Sequence, residues 1–167
     1  MDLPPPPSGL QDLLDRAAIH DVKQCYAFAV DGRDWPLYRM IFTDEVAFDF
    51  FDWAGIRETI AADRWVEMVK ATLAPFDATQ HVFSGQLVRF MGDEAEAVTN
   101  MTARHQLGDE AQMMGGYYTE RFVRTPSGWK IAACRLNITW EQGDRSLFEK
   151  AAALGARARP DIGMQGV

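Results

Sequence analysis

The spacing of apolar residues predicts helices in the first third of the chain. One apolar residue recurs every three or four positions, at Leu14, Ala18, Val22, Cys25 and Ala29. That spacing marks the buried stripe of a helix. We expect the helix to begin near Leu10, after a cap at Ser8, and to end at Gly32.

A second short helix is predicted directly after the first. Asp34 is a suitable N-cap, and Pro36 suits the first turn of a helix that runs to about Phe42. The aromatic-rich segment from Glu45 to Trp53 then predicts a strand. A third helix is expected from about Ile60 to Leu73.

The second half of the chain changes to the alternation of a sheet. Four long strands are predicted, at Thr79 to Met91, Glu94 to Leu107, Ala111 to Arg124 and Trp129 to Trp140. Short glycine-containing turns separate neighbouring strands, so we expect an antiparallel meander. A closing helix is predicted from Glu141 to Ala156.

Helices followed by long strands indicate an α+β domain. The helices then cover one face of a curved sheet, and the space between the two becomes a deep pocket. Residues 10–150 are expected to form this single domain, after a proline-rich disordered tail at 1–9 that lacks a signal segment. Residues 151–167 are expected to be the end of the closing helix and a second tail.

Composition and charge narrow the classes of partner. The net charge of the 167 residues is −7 and Lys and Arg do not cluster, which argues against nucleic acid and against an anionic membrane. No stretch approaches the roughly 20 apolar residues of a membrane span. Cys25 and Cys134 lack metal-ligand spacing and are expected to be buried free thiols. We therefore expect a cytoplasmic protein without a metal site.

Asp31, His81 and His105 are the candidates for proton chemistry. Asp31 lies in the last turn of the first helix, where its charge opposes the helix dipole, and such local conflicts tend to mark functional positions. Histidine is the side chain best suited to proton transfer near neutral pH. His105 shares strand parity with small and apolar residues, which places it on the concave face. Each position also has an ordinary explanation, as an exposed turn aspartate or a hydrogen-bonded strand histidine.

Tyr26, Arg135 and His20 are three further polar side chains of interest. Tyr26 precedes Asp31 by five residues, about 140° around a straight helix, so a shared site requires the pocket to wrap around the helix end. Its phenol is a candidate donor to a carbonyl or an oxyanion. Arg135 is expected to cross the sheet to solvent, and His20 to be solvated.

Several stretches resemble the SnoaL-like branch of the nuclear transport factor 2-like superfamily, in particular the scytalone dehydratase-like proteins. The matching residues are Asp31-Gly32-Arg33-Asp34-Trp35, Thr79-Gln80-His81-Val82-Phe83-Ser84-Gly85, Ala103-Arg104-His105-Gln106, Gly128-Trp129-Lys130-Ile131 and Ile138-Thr139-Trp140-Glu141. The resemblance covers nearly all of the folded part. It implies a cone-shaped α+β barrel with a pocket between a curved antiparallel or mixed sheet and the helices.

The resemblance also implies roles for the candidate residues. The aspartate matching Asp31 orients the histidine matching His81, which takes a proton while a hydroxyl or halide leaves. His105 matches a second histidine that assists the leaving group or binds substrate, and Tyr26 matches a site tyrosine of bacterial bile-acid dehydratases. Phe50 stands where scytalone dehydratase has a substrate tyrosine, so scytalone itself is not expected as the substrate.

The leading hypothesis is a cofactor-free lyase that acts on a small hydrophobic cyclic or aromatic molecule. The predicted pocket walls are Phe28, Phe48, Phe50, Trp53, Phe83, Met101 and Tyr117. One alternative is a ketosteroid-isomerase-like isomerase or a polyketide cyclase. Another is a non-catalytic binding module or accessory subunit. Because relatives associate, a homodimer or homotrimer is expected.

Overall fold

The computed structural model describes residues 5–155, which form five helices and six strands. In chain order they are α1 (Leu10–Gly32), α2 (Trp35–Met40), β1 (Phe42–Phe50), α3 (Phe51–Ala54), β2 (Ile56–Ala61), α4 (Ala62–Leu73), β3 (Ala78–Met91), β4 (Glu94–Leu107), β5 (Glu110–Thr125), β6 (Gly128–Gln142) and α5 (Ser146–Leu154). No helix within residues 5–155 is long and apolar enough to cross a membrane.

The six strands form one curved, open sheet in the order β2-β1-β6-β5-β4-β3. Strands β3 to β6 are the predicted antiparallel meander, and the predicted α+β class is confirmed. Strand β1 joins the meander by pairing in parallel with β6, where Phe48 lies opposite Cys134. Because β2 and β3 are the two edges, the sheet curls around the helices without closing into a barrel.

The segment predicted as one strand from Glu45 to Trp53 is divided between two elements. Strand β1 starts earlier, at Phe42, and ends at Phe50. The one-turn helix α3 follows and closes on Gly55, whose φ of 70° is in the left-handed region. This turn reverses the chain, so that β2 pairs antiparallel with β1.

The sequence pattern does not predict β2. Arg57, Glu58 and Thr59 are all exposed at the edge of the sheet, so the alternation of buried and exposed residues that identifies a strand is missing. Helix α4 consequently begins at Ala62 rather than at the predicted Ile60.

The closing helix also starts later than predicted. Strand β6 continues to Gln142, and α5 begins at Ser146, whose backbone N–H donates to Asp144 Oδ1 at 2.8 Å. Residues 1–4 of the predicted N-terminal tail and residues 156–167 of the predicted C-terminal tail lie outside the described residues.

The first helix ends at Gly32 as predicted, but the left-handed residue that caps it is Arg33 rather than the glycine. Arg33 adopts a φ of 61°, a left-handed conformation that costs a non-glycine residue about 1–2 kcal/mol. The next backbone N–H, that of Asp34, donates to Ala29 O at 2.8 Å. Asp34 then caps α2 as predicted, since its Oδ1 accepts the N–H of Leu37 at 3.0 Å.

The helices lie against the concave face of the sheet. Alternate residues of β4 face this core and are buried, at Ala97, Thr99, Met101, Ala103 and His105. The start of α1 is fixed to the sheet by Asp15, which accepts two hydrogen bonds from the Arg124 guanidinium (2.8 and 2.6 Å) and one from Trp129 Nε1 (2.9 Å). With one end of α1 held, its other end is directed at β3.

Candidate active site

A cavity of about 120 Å³ lies between the concave face of the sheet and the helices. Most of its wall is apolar. The apolar lining includes Phe50, Trp65, Met68, Leu73, Met114 and Leu136. Two imidazoles, of His81 and His105, and two phenols, of Tyr26 and Tyr118, also line it. The cavity thus combines a hydrophobic surface with a few polar groups, as ligand sites do.

Asp31 and His81 are in direct contact at the wall of this cavity. Asp31 Oδ1 lies 2.8 Å from His81 Nδ1, and Asp31 Oδ2 accepts the backbone N–H of His81 at 2.7 Å. Since a carboxylate only accepts hydrogen bonds, the neutral imidazole carries its proton on Nδ1. Nε2 is then the basic nitrogen left for a ligand. Asp31 lies behind the ring and acts through it.

Two neighbours hold the Asp31 carboxylate in place. Thr79 Oγ1 donates to Asp31 Oδ1 at 2.9 Å, and Arg33 Nη1 donates to Thr79 Oγ1 at 3.2 Å. Arg33 Nη2 also donates to Phe76 O at 3.4 Å. Strained residues persist where the surroundings over-determine them, and they cluster at functional sites. The left-handed turn at Arg33 is therefore part of the support of Asp31.

His105 is buried beside His81. The two ring centroids are 5.8 Å apart and the ring planes cross at 85°. Phe76 and Phe148 pack against His105 at 5.3 and 4.8 Å. Burial lowers the pKa of His105 from 6.5 to about 4, and the neighbouring His81 acts in the same direction. His105 is therefore neutral at pH 7.

Tyr26 and Tyr118 are the hydroxyl donors of the cavity. Their ring centroids are 5.9 Å apart, and Tyr26 lies 6.5 Å from the His81 ring. Burial raises the pKa of both phenols well above the usual value of 10. Both hydroxyls therefore keep their protons at neutral pH, and the Tyr26 hydroxyl also interacts with that of Tyr38.

An ion pair lies directly behind these two tyrosines. Lys23 Nζ and Glu120 Oε1 are 2.8 Å apart, and both side chains are almost completely buried. The ammonium group also lies over the rings of Tyr26 and Tyr118, at 4.6 and 4.2 Å from their centroids. This pair supports the cavity from behind and does not line it.

The structure brings the catalytic candidates together. Tyr26, His81 and His105 line the cavity, and Asp31 contacts His81. Of the predicted wall residues, three also line the cavity, at Phe50, Trp53 and Met101.

The other four predicted wall residues lie outside the cavity lining. Phe28 is 58% exposed on the outer side of α1, and Phe48 stacks on Trp65 at 3.9 Å. Phe83 packs against the ammonium group of Lys23, 3.9 Å from its ring centroid. Tyr117 faces away from the cavity, because successive residues of a strand point to opposite faces. Its neighbour Tyr118 is the one that points inward.

Sequence reasoning missed the side chains that support the site. Thr79 is the first residue of the matching stretch that contains His81, but its hydroxyl by itself gives no sign of a role in the site. Lys23 lies in a polar stretch of α1 that is typical of a solvated surface, yet it is fully buried. Gln112 and Glu120 share the inward parity of Tyr118 on β5, and this parity is the signal that would have found them.

The remaining polar candidates lie away from the cavity. Arg135 is half exposed and lies 3.7 Å from Asp49 on the outer side of the sheet, and His20 is exposed. Cys25 and Cys134 are free thiols. Within residues 5–155, no group of three His, Cys, Asp or Glu side chains is arranged to hold a metal ion.

Comparison with known proteins places this geometry in a family. The sequence profile of the SnoaL-like domain matches residues 11–135. Among solved structures, the Kfla4162 protein of Kribbella flavida superposes with a TM-score of 0.77 at 25% identity, covering 83% of this chain and 98% of that one.

Two further structures share the fold at lower identity. One is a proposed scytalone dehydratase of Novosphingobium aromaticivorans, with a TM-score of 0.72 and 18% identity over 93% of this chain and 97% of that one. The other is a type 2 hexachlorocyclohexane dehydrochlorinase (LinA), with a TM-score of 0.71 and 20% identity over 92% of this chain and 99% of that one.

Proposed function

Because the chain belongs to the SnoaL-like domain family, we propose that it is a cofactor-free lyase. The proposed substrate is a small hydrophobic cyclic or aromatic molecule that loses a proton and a neighbouring hydroxyl or halide. The observation that carries the proposal is the 2.8 Å contact between Asp31 Oδ1 and His81 Nδ1 at the wall of an apolar cavity.

His81 is the proposed base. Its Nε2 takes a proton from a carbon next to a carbonyl group or ring, and the electron pair of that C–H bond becomes the new C=C bond. The bond to the hydroxyl or halide breaks, and its electron pair leaves with that group. A departing hydroxide takes the proton back from the His81 imidazolium and leaves as water. Asp31 stabilises the imidazolium in the interval.

Tyr26 and Tyr118 are the proposed donors to the carbonyl oxygen of the substrate. Negative charge develops on that oxygen as the neighbouring proton is removed, and donors already in place stabilise it without reorganisation. Because burial raises the pKa of both phenols, they remain donors throughout the neutral range.

The size of the cavity supports a single-ring substrate. An apolar cavity of about 150 Å³ binds benzene in a well-studied lysozyme variant, and the cavity here is about 120 Å³. The dehydratase and the dehydrochlorinase of similar fold are named for eliminations with two different leaving groups. This similarity supports elimination as the reaction type and leaves the leaving group open.

An isomerase or polyketide cyclase is the second candidate. A proton shift needs one base and donors to the carbonyl oxygen, and His81 with Tyr26 and Tyr118 supplies both. It differs from elimination because no group leaves. A binding module without catalysis is the third candidate, and the same experiment tests it.

Two six-membered ring ketones separate these functions. 3-Hydroxycyclohexanone gives cyclohex-2-enone by loss of water, whereas cyclohex-3-enone gives the same product by isomerisation alone. The conjugated product is followed by its ultraviolet absorbance. We expect turnover of the hydroxyketone, and a loss of about 10²–10⁴-fold in Asp31→Asn and in His81→Gln. His20→Gln is the matched control, because His20 is exposed on α1.

Turnover of cyclohex-3-enone alone would support the isomerase instead. Binding of both ketones without turnover would support the binding module. Full activity in His81→Gln would contradict the assignment of His81 as the base.

A further inference from the structure

Gln112 lies directly opposite His105 in the register of β4 and β5, and it is fully buried. Its Nε2 donates to Met113 O at 3.1 Å and to Glu141 Oε1 at 3.2 Å, and both of these oxygens only accept. Turning the amide over would place Oε1 against two acceptor oxygens. The amide orientation is therefore determined, and Oε1 is the atom that lies 3.0 Å from His105 Nδ1.

This contact determines which nitrogen of His105 carries the proton. An amide oxygen only accepts, so neutral His105 must carry its proton on Nδ1. The neutral form is the relevant one, because burial lowers the pKa of this imidazole to about 4. Nε2 then presents a lone pair, and the ring lines the cavity.

We propose that Gln112 is a positioning residue that makes His105 a hydrogen-bond acceptor, so that the cavity selects small ring molecules carrying a hydroxyl group or another hydrogen-bond donor. The inference rests on the proposed function only in taking this cavity as the ligand site. It names a class of substrate: hydroxylated rings, such as phenols, enols and cyclic alcohols.

The same geometry decides between two roles for His105. Its Nε2 has no proton to give, so His105 receives a hydrogen bond from the substrate and does not protonate a leaving group. His81 has the same tautomer, with Nδ1 held by Asp31. The two imidazoles, 5.8 Å apart between centroids, therefore present two acceptors to one small ring.

The contacts that hold the Gln112 amide extend through Glu141 and Arg145 to the wall of the cavity. Glu141 accepts from Arg145 Nε at 2.8 Å, and the Arg145 guanidinium lies 4.4 Å from the ring centroid of Trp53, which lines the cavity. The carboxylate that holds the Gln112 amide is thus itself held by a cation. A fixed acceptor of this kind strengthens the constraint on the amide and on His105.

Nuclear magnetic resonance of protein with ¹⁵N-labelled histidine tests the tautomer without any turnover. Long-range proton–nitrogen correlations distinguish an Nδ1–H imidazole from an Nε2–H imidazole. We expect His105 to be the Nδ1–H form at pH 7. An Nε2–H or doubly protonated His105 in the wild-type protein would overturn the proposal.

The variant Gln112→Met keeps the side-chain volume and removes the amide oxygen. We expect its His105 to lose the exclusive Nδ1–H form, and unchanged Nδ1–H would overturn the role of Gln112. Gln106→Met is the matched control, since Gln106 lies on β4 with its side chain on the face opposite His105. That control should leave the His105 spectrum unchanged.

Phenol and toluene test the selection of donor-bearing rings. The two have similar size, and only phenol donates a hydrogen bond, so the ratio of their dissociation constants reports the contact with Nε2. We expect Gln112→Met to weaken the binding of phenol relative to that of toluene by about threefold to tenfold, which corresponds to the loss of one neutral hydrogen bond. An unchanged ratio would overturn the selection. Because the tautomer and the ratio of dissociation constants are both measured without turnover, these experiments can fail while the lyase activity stands, and they can succeed while it fails.

Discussion

Lys23 and Glu120 form a fully buried ion pair that joins α1 to β5 across 97 residues of sequence. Burial raises the pKa of Glu120, while Lys23 opposes this effect. Within the described residues, Glu120 Oε2 has no hydrogen-bond partner, so one side of the carboxylate is not satisfied. Removing one partner of such a pair leaves a buried charge, whereas removing both often costs little.

We therefore expect Lys23→Met alone to lower the free energy of unfolding by about 3–5 kcal/mol. The double variant with Lys23→Met and Glu120→Leu is expected to regain most of that loss. Urea denaturation followed by tryptophan fluorescence measures both. Strictly additive losses in the double variant would show that the two charges are not coupled.

The left-handed Arg33 gives a prediction that separates backbone strain from side-chain support. Glycine adopts this conformation without strain, and alanine does not. Both replacements remove the guanidinium hydrogen bond to Thr79. Arg33→Gly is therefore expected to be more stable than Arg33→Ala by about 1 kcal/mol in thermal or urea unfolding. Equal stability of the two variants would contradict the strain.

The lowered pKa of His105 predicts acid sensitivity. Between pH 6.5 and about 4 the unfolded chain binds a proton at this residue that the folded chain does not, so stability falls as the pH falls. From pH 7 to pH 4.5 the expected loss is about 2 kcal/mol. Urea unfolding at the two pH values measures it.

A matched variant isolates this contribution from those of other groups. His105→Phe removes the titrating group and should lose about 2 kcal/mol less over the same interval. Hydrogen bonds from Arg124 lower the pKa of Asp15 to about 2. The stability that ionised Asp15 contributes is therefore lost mainly below this pH interval. If wild type and His105→Phe lose the same free energy, the burial of a neutral His105 is refuted.

Phe148 limits the size of the cavity. It packs between Trp53, Phe76 and His105, with ring centroids 5.2, 4.9 and 4.8 Å away. Phe148→Ala should favour the two-ring ketone 2-tetralone over cyclohexanone in binding, at a stability cost of up to about 3 kcal/mol. Phe51→Ala, at an exposed position outside the cavity lining, is the control. An unchanged preference in Phe148→Ala would show that α5 does not restrict the ligand.

The expected association stays a prediction. Asp49 lies between Arg57 and Arg135 on the outer side of the sheet, at 3.1 and 3.7 Å, and these three side chains belong to neighbouring strands β1, β2 and β6. We expect light scattering after gel filtration to give two or three times the mass of one chain. A mass equal to one chain would contradict a homodimer or homotrimer.

Much of the architecture follows from local patterns. The period-two alternation of β3 to β6 and their glycine turns specify a meander, because each strand must bury one face. The stripe on α1 requires a sheet to pack against. The inward direction of His105 follows from the same parity, since every second side chain of β4 faces the core.

Local sequence patterns do not predict the structure where a shift of one residue along a strand, or a position at the edge of the sheet, determines which side chains are buried. Tyr118 rather than Tyr117 faces the cavity, because neighbouring strand residues point in opposite directions. The edge strand β2 is hidden because its exposed residues do not alternate. Arg33 has the left-handed conformation expected of a glycine, and its guanidinium donates to Thr79, 46 residues away.

The sequence by itself determined the class of fold, the strands that carry the two histidines and the helix end that carries Asp31. Only the tertiary structure decided that Asp31 contacts His81 across 50 residues, that Lys23 is buried on Glu120 and that Gln112 orients His105. Alternation along a strand or helix is a local property and is written in consecutive residues. Hydrogen bonds between distant side chains depend on how α1 and the strands of the curved sheet pack together. That packing is not determined by any single segment of the sequence.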